Sequence, residues 1–172
     1  GQATFPILYR AGVGGGTKIA AQHSQSPHSM FMNVAGLKMF LPSTPYDIKG
    51  LLKTAIRDNN PVVFFYHKRL LGLRGDVPEE EYTIPLGVAD VKREGNDVTV
   101  VATGQMVHQA LRVASEIENR VSLEIIDPRS LEPLDIETIV ASVKKTGRLV
   151  VMDEDTTRCG VGAEIVMQVI EH

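Results

Sequence analysis

Apolar positions along the chain fall into two periods, and the alternation between them predicts the architecture. Phe5–Arg10 is a short apolar run bounded by glycines, the pattern of a strand buried in a parallel sheet. Met30, Phe31 and Val34 then stand at helical spacing, a stripe that reads as core, and 38–41 predicts a short strand. Thr44 followed by Pro45 is a capping residue with proline at the first helical position, and Asp47 puts a carboxylate at the positive end of the helix dipole. Ile48, Leu51, Leu52, Ala55 and Ile56 recur at helical spacing and predict one buried face, after which Val62–His67 is rich in Val and Phe and predicts a strand. The rhythm resumes after a break. Residues 97–102 predict a strand, 105–118 a helix burying Val107, Ala110, Leu111, Ala114 and Ile117, and 122–126 a strand. Asp135 caps a helix through Ile136, Ile139, Val140 and Val143, with Gly147 as its left-handed stop. Leu149–Met152 is a strand, and Ile165, Val166, Val169 and Ile170 mark a closing helix. Strands alternating with helices predict an α/β chain built on parallel sheets.

The break is compositional. Residues 72–82 contain glycine and proline and carry Glu79, Glu80 and Glu81 in succession; adjacent side chains point different ways, so the run reads as a solvated face of a surface linker. The predicted organisation is therefore one α/β unit over 1–71, a linker over 72–86 and a second unit over 87–172. With 18 basic and 21 acidic residues interspersed, the net charge of −3 supplies neither a nucleic-acid stripe nor a polybasic membrane patch. No apolar run approaches the ~20 residues that span a bilayer. Cys159 is the only cysteine, which suits a reducing, cytoplasmic setting and reads as a packing residue. The chain starts at Gly1 and stops at His172 within a helical period, which reads as an excised or partly ordered piece.

Candidate chemistry concentrates in residues 20–28, AAQHSQSPH. Two histidines, two amides and several hydroxyls make a poor core segment, because each polar group would need a buried partner. The stretch reads as the lip of a site. Ser26-Pro27 resembles an N-cap and first helical turn, which puts His23 on the loop leading into a helix. An imidazole there can pass protons near neutral pH. The preceding cluster at 12–16 does not meet the GxGxxG spacing, since Thr17 stands where the last glycine belongs, and reads as a flexible loop at the site's mouth. The helix ending in AIRDNNP offers free carbonyls plus Asp58 and Asn60, which suit either a cation or an ordinary proline-stopped turn. His67-Lys68-Arg69 reads as a solvated basic patch. Thr103-Gly104 and Asp127-Pro128-Arg129 sit at strand C-termini, where open sheets place ligands, with His108 a helical turn beyond Gly104.

AAQHSQSP, GLKMFLPSTPYDIKGLLKTAIRDNNPVVFFYHK and VPEEEYTIPLGVADVKREGNDVTVVATG, taken in order, resemble the β subunit of the thiamine-diphosphate-dependent decarboxylating component of 2-oxo acid dehydrogenase complexes. Segments matching successively through nearly the whole chain are more specific than any one motif. The resemblance implies that 1–71 is the later half of a pyrimidine-binding domain and 87–172 a transketolase C-terminal-like domain used for subunit contact. It implies that His23 is the active-site histidine, donating a proton as the acyl group passes to the lipoyl arm of an acyltransferase core. Thiamine diphosphate would be shared with an α subunit that holds the diphosphate and its magnesium, and a second β subunit would complete the assembly. Pyruvate-type members hold a potassium ion at positions matching Ile7, Ala55, Ile56, Asp58 and Asn60, all occupied here as that pattern requires. His28 departs from the acidic or apolar residue of many relatives. The GLRGDVPEEEYTIP and MDEDTTRCG segments look most like acetoin-cleaving members, whereas TAIRDNN looks like pyruvate enzymes. Two other readings compete: a transketolase or deoxyxylulose-phosphate-synthase type fragment, and a catalytically silent assembly module.

Overall fold

The computed structural model describes residues 3–172. The first part of the chain forms strand β1 (Leu8–Val13), the short helix α1 (His28–Met32), β2 (Lys38–Phe40), α2 (Pro45–Ile56) and β3 (Val62–His67). β3 lies between β1 and β2, parallel to both, with Leu8 opposite Val62 and Lys38 opposite the same residue on the other edge. The second part forms β4 (Asp90–Arg93), β5 (Val98–Ala102), α3 (Gln105–Ile117), β6 (Leu123–Asp127), β7 (Ser130–Glu132), α4 (Ile136–Thr146), β8 (Leu149–Met152) and α5 (Val161–Glu171). Its sheet runs β4-β6-β5-β8, parallel except for the antiparallel edge strand β4.

Local chemistry accounts for the helix ends. The Thr44 hydroxyl accepts the Asp47 backbone N–H at 3.1 Å, and the Asp135 carboxylate accepts that of Thr138 at 3.1 Å. Gly147 closes α4 at φ 69°, a left-handed conformation that suits glycine, and donates its N–H to Val143 at 2.8 Å. The 72–82 segment crosses the surface: Lys49 holds the carbonyls of Pro78, Glu79 and Glu80, and Tyr82 stacks on Tyr46 with ring centroids 4.6 Å apart. Glu79, Glu80 and Glu81 are exposed, as a solvated face should be.

Several expectations need correction. β1 is an edge strand, exposed over most of its length, because no described residues cover it. Ile56 is exposed at the end of α2, where the helix has turned its last residue out of the core, and Val166 and Ile170 of α5 face solvent while Val161 and Ile165 are buried. β4 and β7 were not legible. β7 leaves the second part of the chain and adds antiparallel to β2, so the first sheet runs β1-β3-β2-β7 and contains a strand from each part. One apolar core spans the junction, with Met39, Leu41, Val63 and Phe65 packed with Val101, Ile126, Leu131, Ile139 and Ile165.

A buried charge cluster lies along the same seam. Asp47 is fully buried and accepts Lys92 Nζ at 2.8 Å and Arg129 Nη1 at 3.2 Å. Burial raises its pKa, but hydrogen bonds from Lys92, Thr44 and Arg129 outweigh this and hold the carboxyl below its usual range. Asp127, also fully buried, accepts the Ser43 hydroxyl and the Arg129 N–H; Lys92 lies 3.9 Å away. The strand-end residues Asp127 and Arg129 thus serve the seam and do not line an open ligand crevice, because Asp47 and Ser43 of the first part cap them. His108 likewise turns to the seam, bonded through Nε2 to the Ser43 carbonyl at 2.8 Å.

Burial pushes Asp127 up to about 7, against the pull of Lys92 and Ser43. The folded state therefore retains a proton that the unfolded chain releases, and stability contributed by Asp127 falls as pH rises from an ordinary 3.8 toward about 7. Buried His28 acts in the opposite sense, since burial lowers its pKa. Comparing wild type with Asp127→Asn by denaturant unfolding across that window isolates the term: the wild type should lose ground with a slope approaching about 1.4 kcal/mol per pH unit. A pH-independent difference would contradict the assignment.

Candidate active site

The β1 and β3 strands wall a cavity of about 480 Å³ with Tyr9, Ala11, Val13, Val63 and Phe65; Phe31 and Leu37 close its apolar side. At its mouth stand Gln22, His23, Gln25 and Lys68. His23 ends a single 3-10 turn, Ala21–His23, and its side chain is exposed. The turn is fastened at both ends. Ser24 returns its hydroxyl to the Ala20 carbonyl at 2.8 Å, and the Lys68 ammonium binds the His23 carbonyl. Ala20 takes φ 66°, a left-handed value that a non-glycine residue adopts only when its surroundings impose it.

The floor of this loop is a second histidine. Gly14 donates its N–H to Gln25 at 3.0 Å, tying the glycine-rich loop to the His23 loop, and it lies directly over the His67 ring. His67 is buried; its Nδ1 accepts the Arg69 N–H at 3.2 Å, and its Nε2 is in close contact with the Glu154 carboxylate, two residues past the end of β8. The neighbouring His67 ring is the first cause holding the Glu154 carboxyl below its usual range, against the effect of burial. Residues far apart in sequence thus form one stack: Glu154 under His67, His67 under Gly14, and Gly14 joined to the loop of His23.

The predicted residues fare unevenly. His23 lies at a cavity mouth. Ser26 caps nothing, because α1 starts at His28 with Pro27 before it and no side-chain cap. His28 is not on the lip: it is 2% exposed and packs edge-on against Phe65 at 5.3 Å. His67 is not a solvated patch residue but a buried support, a role that only its contact with Glu154 reveals. Cys159 is exposed rather than packed, and takes φ 55° in the loop between β8 and α5. The Ile7 carbonyl accepts the N–H of Val62 at the start of β3 at 2.8 Å, and the Phe5 N–H donates to Asn59 in the loop after α2 at 2.9 Å. In that loop the Asp58 carboxylate is already bonded to Asn60 and Lys38, and the Ala55 carbonyl at the last turn of α2 accepts the Asp58 N–H at 3.4 Å. Any cation at that corner would rest on carbonyls more than on carboxylate charge.

Residues 1–74 match the transketolase pyrimidine binding domain and residues 87–172 the transketolase C-terminal domain; the chain belongs to the family that these two domains define. Among individual proteins it is 50% identical over 172 residues to the acetoin:2,6-dichlorophenolindophenol oxidoreductase subunit beta of Cupriavidus necator, a match covering 99% of this chain and 51% of that one. It is 47% identical over 171 residues to the pyruvate dehydrogenase E1 component subunit beta of Bacillus subtilis, covering 98% of this chain and 53% of the relative. The chain spans about half the length of the curated relatives it matches. Its fold matches a solved split-gene transketolase, an inactive beta4 tetramer, with TM-score 0.84 and 24% identity over 98% of this chain and 55% of that one. No helix among the described residues is long and apolar enough to cross a membrane.

Gly14 tests the stack directly. A Cβ there would fall 1.9 Å from His67 Nε2, at a backbone φ of 91°. Gly14→Ala should destabilise the protein by more than about 2 kcal/mol in denaturant unfolding, from the clash and the left-handed backbone together. A change below about 0.5 kcal/mol, the range of surface substitutions, would mean that the glycine does not rest on the histidine.

Proposed function

We propose that the chain acts as the β subunit of a thiamine-diphosphate-dependent acetoin or pyruvate dehydrogenase component that passes an acyl group to a lipoyl-acyltransferase core. The observation that carries this reading is the exposed ring of His23 at the mouth of an apolar cavity, in a chain similar throughout its length to β subunits of such dehydrogenases. The cavity's aromatic and aliphatic walls suit a flat heterocycle, and its lining contains no carboxylate to ligate magnesium. Such a division suits a coenzyme whose diphosphate and magnesium are held by an α subunit. The exposed edge of β1, unpaired on one side among the described residues, suits coverage by further polypeptide. A second β subunit and a cytoplasmic setting complete the reading. Acetoin is the first substrate to test, since the C. necator relative acts on it.

When bound, thiamine diphosphate would supply the electron sink that no side chain offers. The chain's own part is narrower. The apolar walls would exclude water from the reacting end of the cavity once β1 is covered by further polypeptide, and Lys68 and Ser24 fix the backbone of the turn that carries the His23 imidazole. An imidazole at an open mouth can release a proton inward and recover it from solvent, which suits delivery to an incoming lipoyl sulfur. At the far end of β1, the carbonyls of Ile7, Ala55 and Ile56, with Asp58 and Asn60, would hold a potassium ion that ties the strand to the end of α2.

The test uses the full-length β subunit assembled with its α partner. His23→Ala should lower lipoyl-dependent turnover by about 10²–10⁴-fold, the usual contribution of a general acid or base. Oxidation of acetoin or pyruvate with an artificial electron acceptor should fall much less. Equal losses in both assays would remove His23 from the transfer step, and assembly without any cofactor-dependent turnover by the wild type would leave only a subunit-assembly role.

A further inference from the structure

His28 is the most unusual buried group in the molecule. It is 2% exposed, and neither ring nitrogen has a hydrogen-bond partner. Burial removes water as a partner, so such a polar group is destabilising unless something else meets it. Two carboxylates of the loop after β8 face it. Nδ1 lies 3.9 Å from Asp153 Oδ1, too long for a hydrogen bond, and one ligand atom each from His28, Asp153 and Asp155 lie within 4.8 Å of one another. Asp153 Oδ2 is itself buried and without a partner. The His23 site uses none of these three side chains.

We propose that His28, Asp153 and Asp155 form a binding site for a divalent first-row transition-metal ion of the zinc or manganese type. An imidazole with two carboxylates is a donor set that such ions favour, and it leaves further coordination positions to water. Ligand atoms about 2.0–2.2 Å from a shared ion stand roughly 3.3 Å apart in tetrahedral geometry, so closure around the ion needs side-chain movements on the order of 1 Å.

The surroundings are those of oriented ligands. Thr103 Oγ1 donates to Asp153 Oδ1 at 2.7 Å and the Glu154 N–H to the same oxygen at 2.8 Å, which fixes that carboxylate while leaving Oδ2 free. Asp155 accepts the Ser29 N–H through Oδ2 at 2.9 Å and the Thr156 N–H through Oδ1 at 2.7 Å. Phe65, edge-on at 5.3 Å, limits rotation of the His28 ring. Asp155 is only partly buried and provides the way in from solvent. The ion would pin the start of α1 to the end of β8, beneath the loop that carries His23, and this holds whatever reaction the cavity serves.

Cobalt(II), whose visible absorption reports its coordination, is the probe, added to the metal-free full-length subunit with zinc as competitor. One equivalent should bind with a d–d spectrum, be displaced by zinc, and raise the melting temperature. Asp155→Asn, a nearly isosteric change at a partly exposed position, should weaken binding by more than about tenfold while the protein stays folded, and His28→Gln should abolish the spectrum. Cys159→Ser should leave it unchanged. Absence of stoichiometric binding, binding indifferent to Asp155→Asn, or loss of the spectrum in Cys159→Ser would each overturn the site.

Discussion

Asp47 is a carboxylate with no access to solvent, and the way the two sheets meet follows from supplying its partners. A charge buried without a counter-ion costs several kcal/mol, so the fold must bring cations to it. They come from the other part of the chain: Lys92 from β4 and Arg129 from the turn after β6. Arg129 is in turn held by the carbonyls of Val88 and Ala89, which ties the start of the second sheet to the same point. Immediately after Arg129 the chain enters β7 and pairs with β2, and Leu131 joins the shared core. The ion cluster supplies register and the apolar seam supplies most of the stabilisation, since paired buried charges fix a geometry more than they stabilise it.

That seam determines what reaches the cavity. With β5 and β8 fixed against the first sheet, the loop following Met152 falls beside the end of β3, and Glu154 meets His67. His67 then carries Gly14, and Gly14 is joined to Gln25 two residues beyond His23. The loop that carries the exposed His23 is thus supported from a carboxylate 131 positions along the chain, through one buried ring and one glycine without a side chain. Loops placed by a rigid scaffold in this way are where open α/β sheets commonly place their chemistry.

Much of the fold was legible because it is local. Thr44 and Asp135 announce helices through hydroxyl and carboxylate caps, Gly147 announces an end, and the apolar periods of α2, α3 and α4 show which face is buried. β4 and β7 escaped because neither carries an apolar period: β4 reads Asp-Val-Lys-Arg and exists only because β6 and Asp47 receive it. Asp47 was legible as a dipole partner and not as the centre of a charge cluster, since its cations lie in a different part of the sequence. Ile56 has the right spacing yet sits at the end of a helix that has run out of core. In the site, the polar character of residues 20–28 pointed to His23, and family resemblance gave it a role; the buried histidines His28 and His67 were misplaced because tertiary contact alone decides which of the five histidines face water.

His23 is exposed in this chain, and the proposed site shared with an α partner would cover it. Histidine modification with diethylpyrocarbonate, read residue by residue by mass spectrometry on the full-length subunit, measures this directly. His23 should react readily while His28 and His67 are spared, and addition of the α partner with thiamine diphosphate should protect His23. Equal modification of His23 with and without the partner and coenzyme would contradict the account.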